Sequence, residues 1–173
     1  MPVEVKILSR VLVNRLRPHI AKLVHPDQKG FIPGRRIDQQ IMLARDLHHL
    51  ETSLKRKGLV TFLDFAKAYD RVNRPYLLRV LERQGFGPRF LAWIRLLYSD
   101  SKCSLMINGW AQDSLTPTRG VKQGDPLSPY LFALSLEPLG NLLRARRDLG
   151  VLVDQTLRVP VGFFADDTDL GLS

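Results

Sequence analysis

Val161-Gly162-Phe163-Phe164-Ala165-Asp166-Asp167-Thr168-Asp169-Leu170 runs an apolar segment into two adjacent carboxylates and out into a second, half-apolar segment. In a flat strand neighbouring side chains point to opposite faces, so Asp166 and Asp167 could not serve one site. At the tip of a tight hairpin both can project toward one point. Two like charges held that close are costly unless a cation neutralises them or one takes a proton. With only hard oxygen ligands on offer, a divalent metal is the simplest neutraliser, and Mg²⁺ is favoured. Such a site needs at least one more carboxylate.

Asp64 is the candidate. It lies in Leu59-Val60-Thr61-Phe62-Leu63-Asp64-Phe65-Ala66-Lys67-Ala68-Tyr69-Asp70. Leu59–Leu63 reads as a short buried strand, β-branched and aromatic with no charge, and Asp64 stands where it ends. Alone, Asp64 reads as a turn former, a helix cap or half of a salt bridge. Together with the hairpin pair the balance changes. Three carboxylates on the tips of adjacent strands make the ligand set of a two-metal phosphoryl-transfer site.

These two segments resemble motifs A and C of reverse transcriptases, in the form used by LINE-like, non-LTR retrotransposons. Phe164-Ala165-Asp166-Asp167 matches the aromatic-Ala-Asp-Asp signature, and the segment from Leu63 to Asp70 matches motif A, where the family has Phe or Tyr at position 69. Between them, Gly120-Val121-Lys122-Gln123-Gly124-Asp125-Pro126-Leu127-Ser128-Pro129 matches motif B. Upstream, Gln28-Lys29-Gly30-Phe31-Ile32-Pro33-Gly34-Arg35-Arg36 is similar to the fingers segment. Any one match is weak; four in order and at the right spacing over nearly the whole chain are specific.

The resemblance implies an α+β fold with the right-hand fingers and palm of a polymerase. Residues 1–58 would be fingers-like helices and loop, and residues 59–173 a palm whose antiparallel sheet carries helices on one face. It implies a fragment of an RNA-directed DNA polymerase that transfers nucleotides to a primer 3′ hydroxyl by a two-metal mechanism. The metals would be two Mg²⁺, with Mn²⁺ as a substitute. Asp64 and Asp166 would be the principal ligands, Asp167 a less direct electrostatic partner, and the carbonyl of Phe65 an extra ligand. Tyr69 falls where the family excludes a ribose 2′ hydroxyl. Arg35 falls on the arginine expected to grip a triphosphate, and Gln123 and Gly124 on the nucleotide pocket. Partners would be an RNA template, a DNA primer and deoxynucleoside triphosphates, in the nucleus.

Departures from the family bear on activity. The chain opens after the Arg-Pro-Ile segment of the family's fingers and stops after the hairpin, leaving no motif D lysine, primer grip or thumb. On that pattern residues 168–172 are expected to form an unprotected edge strand or one lacking its full cover, and synthesis by this chain alone to be inefficient. The alternative is a non-catalytic relic or fragment of such an element that binds nucleic acid weakly.

Composition agrees. At 173 residues and 45% apolar content the chain has one domain's length and ample material for a core. A formal charge of +9 fits a polyanion partner or simply a basic surface. A single cysteine, Cys103, excludes internal disulfides and cysteine metal clusters, as in a reducing intracellular compartment. No apolar run approaches the ~20 residues that span a bilayer, and residues 1–20 are amphipathic rather than a secretory signal.

The remaining pattern is mostly helical. Val5, Leu8, Leu12, Leu16, Ile20 and Leu23 predict a helix over residues 4–24, with basic residues on its other faces and Pro18 as a kink or break. A second helix over 37–57 puts Ile37, Ile41, Ala44, Leu47, Leu50 and Leu54 on one face. His48 and His49 point to different faces of it and cannot chelate together. Asn73 and Pro75 open a third helix that Gly85 closes. A fourth runs from Pro88 with Trp93, Ile94 and Leu97 inward. Asn108-Gly109 predicts a hairpin with a type I′ turn. A helix beginning near Pro129 carries Leu131, Leu134, Leu139, Leu142 and Leu143 beneath the site, bent at Pro138.

Overall fold

The computed structural model describes residues 2–99, 101–146, 148–154 and 157–172. The first apolar stripe folds as α1, Val3–Leu23, burying Leu12, Val13, Leu16 and Ile20 while Arg10, Arg15 and Arg17 face solvent. Pro18 lies on the exposed side of α1, where the carbonyl it leaves unpaired can take water. A loop leads to α2, Ile37–Ser53, then β1, Leu59–Leu63, and a single helical turn α3, Ala68–Arg71. The next helix, α4, spans Arg74–Arg83. Its first turn is capped by Asn73, whose Oδ1 accepts from the Tyr76 N–H at 2.9 Å, and Gly85 follows it with φ +86°.

Beyond α5, Pro88–Ser99, come β2, Met106–Ile107, and β3, Trp110–Ala111, with positive φ at both Asn108 and Gly109. That is the expected type I′ turn. α6, Ser128–Ala145, is followed by the short pair β4, Val151–Leu152, and β5, Arg158–Val159. The chain then enters β6, Val161–Phe164, and β7, Asp167–Leu172.

The mixture is α+β. Leu77 and Leu81 of α4, Ile94 of α5, and Leu131 and Leu134 of α6 close with α1 around one helical core. The principal sheet is antiparallel with strand order β1-β7-β6. Across β6 and β7, Phe163 and Thr168 stand opposite each other and are buried. Gly162 and Asp169 form the next pair on the other face, where α2 covers them through Gln40, Leu43, Ala44 and Leu47.

Several expectations change. Residues 168–172 are not an edge: β7 is paired on both sides, and β1 and β6 are the outer strands of the sheet. For that reason β1 is not buried either. α2 lies over β6 and β7, so Leu59, Phe62 and Leu63 stay exposed. The stripe of α2 that faces inward is displaced by about one position. Gln40 and Glu51 are buried, whereas Ile37, Ile41 and Leu54 face solvent. Trp93 and Leu142 are exposed, and Asp169 accepts from Gln40 Nε2 at 2.8 Å.

Candidate active site

The β6–β7 ladder closes at Phe164 opposite Asp167, which leaves Ala165 and Asp166 as a two-residue turn. Ala165 has φ +57°, the left-handed region an L residue occupies at a cost of about 1–2 kcal/mol. The turn places both carboxylates at the tip, as the sequence requires. β1 runs antiparallel beside β7 with Leu63 opposite Thr168, so Asp64, the next residue, emerges beside the start of β7.

Asp167 feels its neighbours. What desolvation Asp167 has, and then the charges of Asp166, Asp64 and Asp169, raise its carboxyl above the usual carboxylate range. Among the described residues no Lys, Arg or His forms an ion pair with Asp64, Asp166 or Asp167. Among those residues, no group of three His, Cys, Asp or Glu side chains stands close enough together to hold a metal ion.

The other expected residues, with one exception, lie in the segment that follows β1 or in the loop that docks on it. Tyr69 projects from α3 and stacks on Phe132 of α6, ring centres 5.0 Å apart and planes 12° from parallel. Burial first, and the Asp166 charge second, push its phenol up to about 12. The phenol is therefore neutral at physiological pH and close enough to Asp166 to feel it. Residues 120–124 dock on the same turn. The Val121 N–H donates to the Tyr69 carbonyl at 2.8 Å, the Gly120 N–H to the Val72 carbonyl at 2.8 Å, and Gln123 Nε2 to Asp70 Oδ1 at 3.1 Å. Gly120 has φ +86°, and a Cβ there would meet Asp70 backbone at 3.0 Å, so the close approach needs a glycine. Gly124 has φ +76° with open space beside it. The Phe65 carbonyl accepts from the Ala68 N–H at 3.1 Å and keeps one lone pair.

Arg35 is the exception. Its guanidinium donates to four backbone carbonyls: His25 and Gln28 through Nη1, Ala21 and Val24 through Nη2, at 2.6 to 3.0 Å. Four of its five N–H groups thus tie the end of α1 to the following loop. Neighbouring Arg36 pairs with Asp38 in solvent.

Sequence reasoning passed over Gln28. It is 1% exposed. Its Oε1 accepts from the Ala165 N–H at 2.9 Å and the Gly30 N–H at 2.8 Å, and its Nε2 donates to the Ala165 carbonyl at 3.2 Å. The only hint was its place in the quoted loop motif. A glutamine 137 residues from its partner carries no periodic signal.

Comparison with known proteins agrees with this geometry. Residues 1–172 match the family model described as reverse transcriptase (RNA-dependent DNA polymerase). The chain is 38% identical over 170 residues to the transposon TX1 uncharacterized 149 kDa protein of Xenopus laevis, covering 96% of this chain and 13% of that protein. It is 34% identical over 166 residues to a retrovirus-related Pol polyprotein from the type-1 retrotransposable element R2 of Popillia japonica, covering 94% and 22%. The corresponding figures for the R2DM polyprotein of Drosophila melanogaster are 31% over 166 residues, 95% and 15%. The chain thus spans less than a quarter of the length of these curated relatives.

Proposed function

Because the chain belongs to the reverse transcriptase family, and its relatives to non-LTR retrotransposons, we propose that it carries the nucleotidyl-transfer site of an RNA-directed DNA polymerase. In this reading residues 1–58 serve as fingers and residues 59–173 as palm, acting on an RNA template, a DNA primer and deoxynucleoside triphosphates. The observation that carries it is the placement of Asp64, Asp166 and Asp167 at adjacent strand ends with no cationic partner among the described residues.

The donor set fits a hard divalent cation. It offers oxygen only, and desolvation first, then the neighbouring carboxylates, raise the Asp167 carboxyl, with no cation paired to it among the described residues. Asp64 and Asp166, with Asp167 and the Phe65 carbonyl less directly, would hold Mg²⁺, or Mn²⁺ in its place. When bound, the ions supply activation of the primer hydroxyl and charge stabilisation at the departing pyrophosphate.

The protein's own groups select and place the nucleotide. Tyr69, held flat against Phe132, presents a wall of fixed position at the sugar, where a 2′ hydroxyl meets the ring. Its neutral phenol adds no repulsion to a triphosphate. Gln123, tethered through Asp70, keeps its amide oxygen free to accept, and Gly124 lets backbone approach the nucleotide without a side chain between. Arg35 acts here by holding the loop, since its N–H groups are spent on carbonyls. A net charge of +9 supplies the attraction for nucleic-acid phosphates.

The test is Mg²⁺-dependent extension of a DNA primer on an RNA template by the purified chain. Extension is expected to vanish in Asp166→Ala; extension that persists in that variant removes the site from the hairpin.

A further inference from the structure

We propose that Gln28 is a positioning residue for the acidic hairpin, one whose side-chain amide clamps both peptide groups of Ala165 and so sets where Asp166 and Asp167 stand. The proposal rests on the metal-site reading above and adds to it a residue from outside both carboxylate-bearing segments.

The clamp is specific in shape. A primary amide offers one acceptor and two donors, and here the acceptor faces the Ala165 N–H while a donor faces the Ala165 carbonyl. Fixing both peptide groups of one residue fixes its φ and ψ together. Ala165 needs that, because its left-handed conformation is one an alanine leaves when unrestrained. Asp166 is the next residue, so any relaxation at Ala165 swings its carboxylate directly.

The clamp is anchored on both sides. The Lys29 N–H donates to the Phe163 carbonyl at 2.7 Å and the Phe163 N–H to the Asp27 carbonyl at 3.0 Å, so the loop runs along β6 as a parallel partner. Gly30 brings its backbone against Ala165 so closely that a Cβ would stand 2.2 Å from the Ala165 nitrogen. Behind the loop, Arg35 grips four carbonyls, Asp27 pairs with Arg144 of α6, and the His25 N–H donates to Glu137. Gln28 therefore transmits the position of a rigid platform to the turn. A buried glutamine satisfied only for stability would affect melting alone; a positioning residue also affects how well the carboxylates hold a cation.

Mn²⁺ alone is the probe, with its free concentration read by electron paramagnetic resonance in the presence of the full chain. Gln28→Leu removes the clamp and is expected to weaken Mn²⁺ binding by about tenfold or more, the size of losses seen when groups that orient metal ligands are removed. Gln28→Glu keeps the shape and the acceptor but sets a carboxylate oxygen against the Ala165 carbonyl, and the same direction of change is expected should the leucine variant fail to fold. Adding Ala165→Gly to either relieves the left-handed strain, so melting temperature recovers in part while Mn²⁺ affinity does not. Wild-type affinity in the Gln28 variants alongside a loss in Asp166→Ala overturns the positioning role and leaves the metal site standing. Affinity that returns together with stability in the Ala165→Gly double variant also overturns it. Unchanged affinity in Asp166→Ala overturns the metal-site reading, and the positioning role with it.

Discussion

Gly30→Ala tests how tightly the hairpin turn is held. The added Cβ would stand 2.2 Å from the Ala165 nitrogen and 2.8 Å from its Cα, both backbone atoms with no rotamer to yield. Ordinary carbon contacts begin near ~3.5 Å, so the turn must withdraw by about 1.3 Å or the loop must. Either movement stretches the 2.9 Å and 3.2 Å bonds between Gln28 and Ala165 past hydrogen-bonding range. Overpacking contributes about 1–3 kcal/mol, and two buried hydrogen bonds contribute about 1 kcal/mol each. The expected loss is about 4 kcal/mol, and a domain of this size shifts by roughly 2–4 °C per kcal/mol, giving a melting temperature lower by about 8–16 °C. Thermal unfolding followed by circular dichroism measures it. Mn²⁺ binding should fall in the same variant at temperatures where it is still folded. A Gly30→Ala chain that melts with the wild type would refute the close packing of loop on turn, and the platform argument built on it.

Gly162→Ala offers a contrast. The Cβ would land 1.8 Å from Gln40 Nε2, the free end of a flexible side chain, so Gln40 should swing aside and surrender only its bond to Asp169, at about 1 kcal/mol. A loss as large as that of Gly30→Ala would mean Gln40 has nowhere to go. Arg35→Lys should cost about 2–3 kcal/mol in urea unfolding, because a single ammonium cannot serve four carbonyls spread over a planar fork; wild-type stability would show those carbonyls satisfied by water. Tyr69→Phe addresses pH. The folded phenol titrates at about 12 against an ordinary 10.0, so above pH 10 the unfolded chain loses its proton first and stability falls as pH rises toward 12. Urea midpoints across that interval should fall less steeply in the phenylalanine variant, with a residual slope from Tyr76 and Tyr98, both also raised by burial. Identical slopes would place Tyr69 in solvent.

Local rules made much of the fold legible. The Asn73 cap, Gly85 stop and Asn108-Gly109 turn are decided within a few residues, and the structure places each as read. The acidic hairpin was legible for the same reason: two apolar runs around a two-residue turn have few ways to pair. What failed depended on neighbours far along the chain. An apolar run such as Leu59–Leu63 reads as buried whether one strand or two flank it, and only the sheet order reveals β1 at the edge. The inward stripe of α2 went wrong because the helix turns Gln40 to Asp169, a polar contact that hydrophobic periodicity cannot register. Arg35 was read from the family pattern as a phosphate contact, yet four of its N–H groups meet carbonyls at the end of α1 and in the loop after it.

The energetics of the acidic tip explain why its braces come from so far away. Desolvation and then the charges of Asp166 and Asp64 raise the Asp167 carboxyl, and the turn before it sits on a left-handed alanine, so β6 and β7 alone would relax by opening the turn. Bracing from the strands' own residues would crowd the carboxylates at the tip. The loop of residues 25–35 avoids this by gripping β6 and Ala165 through buried backbone and one amide, leaving the tip clear. The same logic places Gln40 on Asp169, one alternation inward from Asp167, where it holds the strand without touching the pair. Residues before β1 and residues after it are thus bound into one unit at the site. A separation near residue 58 would expose Gln28 and Asp27 and release the turn. Cutting the chain there is therefore expected to cost the hairpin its geometry before it costs the helical core its packing.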